Sequence, residues 1–193
     1  MKKLFMFDMG GVVTTTASLD SQIASFLGIE LSEYKLKSKP LIYKYSDGKF
    51  SRDDFWNKMS EAFQKEIECD LFHLFFHPEL NCGTVELVRE LKDKGCRVIC
   101  ATNTNESFYL NHLERGDYSY FDQTYCSHFM GVSKPDVNFW KLILQIENED
   151  FSNAVFFDDR EDNCEAAKSL GITAIHFESI EQVRRELTEK GLL

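Results

Sequence analysis

The amino-acid sequence predicts an α/β fold: a Rossmann-like parallel sheet flanked by helices, with a small all-helical cap inserted after the first strand. Short, nearly continuous apolar runs are typical of strands buried on both faces, and they occupy residues 4–7, 98–101, 154–157 and 173–177. Segments with helical spacing lie between the later runs. Because strands that alternate with helices form parallel sheets, this order predicts the fold class.

Four helices of the sheet domain are predicted from the spacing of their apolar residues. The residues that define them are Val85, Val88 and Leu91; Val137, Trp140 and Leu144; Ala166, Ala167 and Leu170; and Ile180, Val183 and Leu187. Gly95 and Gly171 each follow one of these segments and precede the next strand. Glycine readily adopts the left-handed conformation that ends many helices, so we expect helix ends at both positions.

A long interval after the first run breaks the alternation and predicts the cap. It contains no clear buried strand, but residues 23–27 and 55–63 have the spacing of amphipathic helices. Ser51, followed by Asp53 and Asp54, is typical of a helix N-terminus.

The domain organisation follows from this insertion. No glycine- or proline-rich linker is present, so we expect short hinges near residues 15–18 and 78–84, about which cap motion would gate a cleft. The predicted domains are an α/β core of residues 1–16 and 80–193 and a helical cap of residues 17–79.

Charge and composition exclude several classes of function. The 193-residue chain has 22 Lys and Arg against 32 Asp and Glu, a formal net charge of −10, so its field repels nucleic acid and anionic membranes. Its first apolar run is too short for a signal-peptide core or a membrane span. Six cysteines without a CxxC pair indicate neither a zinc ribbon nor a disulfide framework. We expect a cytoplasmic protein that binds neither nucleic acid nor membrane.

Polar residues end three of the predicted strands and mark the candidate site, because ligands bind beyond the carboxyl ends of strands in an open parallel sheet. Asp8 follows the first run, Thr102 and Asn103 follow the second, and Asp158 and Asp159 follow the third. A buried carboxylate is costly unless it is paired or metal-bound. Bringing Asp8 and Asp159 together therefore suggests a divalent cation with oxygen ligands, most simply Mg²⁺.

Lys134, in a loop fixed by the following Pro135, adds a positive charge, and the whole set would bind a phosphoryl group. The ordered motifs are Phe7-Asp8-Met9-Gly10-Gly11-Val12-Val13; Thr102-Asn103-Thr104; Gly131-Val132-Ser133-Lys134-Pro135-Asp136; and Phe157-Asp158-Asp159-Arg160 with Asn163. This set resembles the haloacid dehalogenase-like hydrolase superfamily over the whole chain. It looks closest to the branch of bacterial sugar-phosphate phosphatases and the phosphatase domain of epoxide hydrolases.

The resemblance implies a role for each matching residue. Asp8 would be the nucleophile that attacks phosphorus to give an aspartyl-phosphate, which water then hydrolyses. Lys134 would bind substrate and neutralise charge on the nucleophile and the transferring group. Thr102 and Asn103 would hold the phosphoryl oxygens. Mg²⁺ would be bound by Asp8, Asp159 and the backbone carbonyl of Gly10. Asp158 and Asn163 would support Lys134 or the metal shell.

Gly10 departs from the family's phosphatases, which usually have a second Asp at this position as general acid and base. Glycine cannot move a proton, and positioned acid–base catalysis is typically worth roughly 10² to 10⁴ in rate. Three explanations compete: a substrate with a good leaving group, such as a sugar 1-phosphate or an acyl phosphate; a proton from a cap carboxylate such as Asp47, Asp53 or Glu33; or lost catalysis. The first is favoured, because the branch that the chain resembles includes active phosphatases with the same Asp-x-Gly start.

Other interpretations are disfavoured. Dehalogenation in this superfamily usually needs an arginine early in the cap, but the first arginine here is Arg52. A mutase depends more heavily than a hydrolase on the carboxylate that Gly10 replaces. Each acid could have a purely structural role, with Asp8 in a turn and Asp158 and Asp159 at a helix N-cap. The presence of four motifs in the right order argues against this interpretation.

The sequence therefore predicts a Mg²⁺-dependent phosphatase of small phosphorylated metabolites, with sugar phosphates as the most favoured substrates. The alternative is a catalytically silent relative that binds phosphate or a partner protein through the same cleft, which Gly10 alone supports. Spacing does not identify the inward-facing cap residues, so the organic half of the substrate is not predicted.

Overall fold

The computed structural model describes residues 3–15 and 18–193 of the chain. Within these ranges the strands form one five-stranded parallel sheet in the order β3-β2-β1-β4-β5. The strands are β1 Leu4–Phe7, β2 Arg97–Thr102, β3 Gln123–Cys126, β4 Ala154–Asp158 and β5 Thr173–His176. The predicted Rossmann-like α/β fold is confirmed, and β1 lies at the centre of the sheet between β2 and β4.

Helices precede, connect and follow the strands. They are α1 Asp20–Leu27, α2 Leu31–Ser46, α3 Arg52–Phe63, α4 Leu71–Phe75, α5 Cys82–Asp93, α6 Glu106–Arg115, α7 Ser127–Met130, α8 Asn138–Glu147, α9 Glu161–Ser169 and α10 Ile180–Glu189. The four helices predicted from apolar spacing correspond to α5, α8, α9 and α10. Gly95 and Gly171, with φ of 76° and 89°, adopt the expected left-handed conformation. No helix in the described ranges combines the length and the apolar composition needed to cross a membrane.

Both faces of the sheet are covered, because successive side chains of a buried strand point to opposite faces. Phe5 and Phe7 pack on one face against apolar residues of α5 and α10. Leu4 and Met6 pack on the other face against apolar residues of α8 and α9. Two apolar layers therefore hold β1 rigidly, and with it the residue that follows the strand.

The two edge strands differ from the sequence-based expectation. The apolar pattern does not predict β3, because Gln123 is exposed and Thr124 is half-buried. The expectation that β5 is buried on both faces is wrong, since three of its four residues are only half-buried. An edge strand has a neighbouring strand on one side only, so fewer of its side chains are covered.

Helices α1 to α4 lie between β1 and α5 and form the inserted helical cap. The cap has its own apolar cluster, in which the rings of Tyr45 and Phe55 stack with centroids 4.4 Å apart. Ser51 caps α3 as expected, since its hydroxyl accepts a hydrogen bond from the Asp54 N–H at 3.2 Å. The domain limits remain predictions, and the first of them, between residues 16 and 17, lies outside the described residues together with the middle of the first hinge.

Candidate active site

Three carboxylates come together where the central strands end. Asp8 follows β1, and β4 ends at Asp158, which Asp159 follows. The backbone N–H of Asp8 donates to the Phe157 carbonyl at 2.9 Å, which continues the pairing of β1 with β4. One carboxylate oxygen from each of the three acids lies within 4.8 Å of the other two. The convergence of strand ends therefore brings together the acids that the sequence singled out.

Lys134 is buried against two of these acids. Its Nζ lies 3.0 Å from Asp8 Oδ2 and 2.6 Å from Asp158 Oδ2, and it donates to the Ala101 carbonyl at 3.0 Å. An ammonium has three N–H donors, and these contacts give each donor an acceptor. Burial lowers the pKa of Lys134, but the two carboxylates raise it by more, so the net shift is upward. Lys134 is thus a cation although it is only 4% exposed.

Both carboxylate oxygens of Asp158 have hydrogen-bond partners. Oδ2 accepts from Lys134, while Oδ1 accepts from the Arg160 backbone N–H and from Asn163 Nδ2, each at 2.9 Å. These contacts favour a positioning role for Asp158. Within the described part of the chain, the buried Asn163 Oδ1 has no hydrogen-bond partner.

Burial and charge together set the protonation of the acid cluster. Burial and the Asp158 carboxylate raise the pKa of Asp8, while the Lys134 ammonium and the Thr102 hydroxyl lower it. The net result is a pKa of about 7. Burial and the Asp158 carboxylate also raise the pKa of Asp159. Three acids face one buried ammonium, so full ionisation leaves an excess of negative charge that a divalent cation would offset.

Thr102 and Asn103 lie beside this cluster at the end of β2. Thr102 is buried, whereas Asn103 is exposed and its side chain hydrogen-bonds to the backbone of Lys134. Its Oδ1 accepts from the Lys134 N–H at 2.8 Å, and its Nδ2 donates to the Lys134 carbonyl, also at 2.8 Å. This pair of bonds joins residues 31 positions apart and fixes the loop that carries the lysine.

Gly11 is a residue of the site whose role the local sequence pattern does not predict. A Cβ at this position would overlap the carboxylate of Asp159, and the φ of Gly11 is +78°. Only glycine combines this conformation with such a close approach. The signal in the sequence was the second glycine of the pair after Asp8. Gly10 itself lies in the same turn and forms an isolated bridge with Thr14.

The cap contacts the core through the turn that follows α2. Ser127 Oγ donates to the Ser46 carbonyl at 2.7 Å. Gly48, with φ of +67°, packs so closely that a Cβ would overlap the carbonyl oxygen of His128. The turn is thus held against the residues that follow β3.

The three cap carboxylates considered as proton sources take different positions. Asp47 Oδ1 accepts a hydrogen bond from Ser133 Oγ, and Ser133 directly precedes Lys134. The Asp53 side chain is 86% exposed, and the Glu33 side chain is 44% exposed and paired with a lysine of its own helix. Of the three, Asp47 alone contacts the loop that carries Lys134.

A family model described as haloacid dehalogenase-like hydrolase matches residues 2–171 of the chain. The chain belongs to the haloacid dehalogenase-like hydrolase family. The resemblance inferred from the four ordered motifs is thereby confirmed, as is the expectation that the chain is a hydrolase.

Two relatives and a solved structure place this haloacid dehalogenase-like hydrolase among similar proteins. It is 24% identical over 204 residues to D-ribitol-5-phosphate phosphatase of Bacteroides thetaiotaomicron, a match that covers 97% of this chain and 98% of that protein. It is 26% identical over 153 residues to drimenol cyclase drtB of Aspergillus calidoustus, covering 75% of this chain but only 29% of the cyclase. A family enzyme from Bacteroides thetaiotaomicron, solved in complex with magnesium and inorganic phosphate, has a TM-score of 0.78 at 22% identity over 91% of this chain and 93% of that one. The solved structure shows that the fold is shared.

Proposed function

We propose that the chain is a Mg²⁺-dependent phosphoric monoester hydrolase of small phosphorylated metabolites, with sugar phosphates as the first substrates to test. The observation that carries the proposal is the buried Lys134 ammonium, 3.0 Å from Asp8 Oδ2 at the end of the central strand. A carboxylate beside a buried cation is suited to accept a phosphoryl group, which brings negative charge of its own. The name and matching length of D-ribitol-5-phosphate phosphatase support this substrate class.

The proposed reaction has two halves on Asp8. In the first, a carboxylate oxygen of Asp8 bonds to phosphorus while the bond from phosphorus to the leaving-group oxygen breaks. In the second, water attacks the phosphorus of the aspartyl-phosphate and releases inorganic phosphate and the Asp8 carboxylate. Lys134 holds negative charge on the transferring group, and Asp158 keeps its ammonium in place at 2.6 Å.

Two further side chains are proposed to act on the phosphoryl group. The Thr102 hydroxyl, which lowers the pKa of Asp8 by hydrogen bonding, is proposed to bind a phosphoryl oxygen during transfer. Asn103 is proposed to serve the same group, and its two bonds to the Lys134 backbone add a positioning role.

The donors at the strand ends fit Mg²⁺, because they are oxygens and Mg²⁺ prefers oxygen ligands. Asp8, Asp159 and the backbone carbonyl of Gly10 are the proposed ligands. The buried Asn163 Oδ1, which has no hydrogen-bond partner among the described residues, is suited to accept a hydrogen bond from a water of the metal shell. When bound, Mg²⁺ supplies positive charge that offsets the charge of the phosphoryl oxygens.

Phosphate release from a panel of sugar 1-phosphates, sugar 6-phosphates, acyl phosphates and an aryl phosphate tests this function. We expect release that requires Mg²⁺, stops on chelation and is abolished by Asp8→Asn. Asp53→Asn, which changes an exposed cap carboxylate, is the matched control and should keep wild-type activity. Phosphate binding without release from any member would contradict the proposal and favour the catalytically silent alternative.

A further inference from the structure

The proposed phosphatase lacks a proton donor at Gly10, and the arrangement of the cap turn suggests where one comes from. This inference rests on the proposed function. A poor leaving group, such as the alkoxide of a sugar, needs a proton as its bond to phosphorus breaks. The residue that supplies the proton must be fixed in position near Lys134 and Asp8.

Asp47 lies in the cap turn and contacts the loop that carries Lys134. Its Oδ1 accepts a hydrogen bond from Ser133 Oγ, one residue before Lys134. The Lys134 ammonium in turn lies 3.0 Å from Asp8 Oδ2. The cap carboxylate therefore contacts the residue that directly precedes the lysine beside the proposed nucleophile.

The position of Asp47 is fixed by its neighbours on both sides. Before it, the Ser46 carbonyl accepts a hydrogen bond from Ser127 Oγ at 2.7 Å. After it, Gly48 packs against the His128 carbonyl with no room for a side chain. Because the turn is held at three successive residues, little conformational entropy remains to be lost when Asp47 meets a substrate.

Other acids near the site are less suitable for this role. Both oxygens of Asp158 already accept hydrogen bonds, and Asp159 is a proposed metal ligand. The side chains of Asp53 and Glu33 are 86% and 44% exposed, without a contact to the loop of Lys134.

We propose that Asp47 is the general acid and base of the reaction, in place of the carboxylate that Gly10 lacks. As Asp8 bonds to phosphorus and the leaving-group bond breaks, the protonated Asp47 carboxyl gives its proton to the leaving-group oxygen. The resulting Asp47 carboxylate then takes a proton from the water that attacks the aspartyl-phosphate. Inorganic phosphate leaves, and both aspartates return to their starting states. The core supplies the nucleophile and the cap supplies the proton, so turnover requires a closed cap.

Asp47→Asn tests this proposal, since it keeps an oxygen that can accept from Ser133 but removes the transferable proton. We expect kcat for a sugar 6-phosphate, a poor leaving group, to fall by roughly 10² or more. The rate for an aryl phosphate with a good leaving group should stay near wild type. In a Gly10→Asp background, which restores an acid on the core, the loss caused by Asp47→Asn should disappear. Asp53→Asn is the control and should affect neither substrate.

Two other outcomes would contradict the proposal, and they differ in what they mean for the proposed function. Equal losses on both substrates, or no loss on either, with an active wild type would overturn the role of Asp47 and leave the proposed function standing. Absence of turnover by the wild type on every substrate, with phosphate still bound, would overturn the proposed function and the role of Asp47 with it.

Discussion

Lys134 and Asp158 form an ion pair in which neither side chain is exposed, with Nζ 2.6 Å from Oδ2. Two charges so deep in a protein are tolerated only when their geometry is good and their remaining hydrogen bonds are satisfied. Ala101, Arg160 and Asn163 provide those bonds. The Lys134 ammonium of this pair also favours the charged form of Asp8 at the end of β1, whereas the Asp158 carboxylate opposes it.

Lys134→Met is expected to lower the free energy of unfolding by about 3–5 kcal/mol, because it leaves buried carboxylates without their cation. Urea unfolding near neutral pH measures the change. Lys168→Met removes an exposed lysine that lies 3.3 Å from Glu165, and it should cost no more than about 1 kcal/mol. Equal destabilisation by the two substitutions would contradict the importance of the buried pair.

Gly11→Ala is expected to displace the Asp159 carboxylate, because the new Cβ would overlap it. The predicted result is weaker Mg²⁺ binding, measured by calorimetry, and a higher Mg²⁺ requirement for activity. Gly131→Ala is the matched control, since Gly131 has a similar φ of +71° but open space around the position of a Cβ. The control carries the same backbone strain and should bind Mg²⁺ as the wild type does. The same loss of Mg²⁺ binding in both variants would attribute the effect to strain and contradict the role of the close approach.

His128 is expected to make stability depend on pH. Burial lowers the pKa of His128 from 6.5 to about 4. As the pH falls from 6.5 towards 4, unfolded His128 takes up a proton that folded His128 does not, so this residue contributes a decrease in the free energy of unfolding, which the raised pKa of Asp8 opposes. His128→Gln should remove this contribution, so in urea unfolding series the free energy of unfolding of the variant should fall less on acidification than that of the wild type. Burial also lowers the pKa of His112, whose contribution has the same sign and is retained in the variant. An unaltered slope in His128→Gln would refute the assignment.

Much of the fold and part of the site could be predicted from local patterns. Strands β1, β2 and β4 are nearly all apolar because they are buried on both faces, and this makes them visible in the sequence. Since parallel strands end at one edge, the acids after β1 and β4 could be expected to meet. Strand β3 lies at the edge of the sheet and begins with polar residues, so its composition resembles a loop.

The remaining features of the site depend on contacts between distant residues. The hydrogen bonds between Asn103 and the Lys134 backbone join positions 31 residues apart, so local sequence patterns do not predict them. The requirement for glycine at position 11 exists only because Asp159 lies against it in three dimensions. The contact between Asp47 and Ser133 likewise depends on how the cap packs against the core.

Covalent labelling of Asp8 shows directly whether this aspartate is the nucleophile. Wild-type protein with Mg²⁺ and an aryl phosphate would be quenched in acid during turnover, digested and analysed by peptide mass spectrometry. We expect a phosphoryl group on Asp8, in the peptide that contains the end of β1, and none in Asp8→Asn. Turnover by the wild type without any phosphoryl group on Asp8, or full activity of Asp8→Asn, would contradict it.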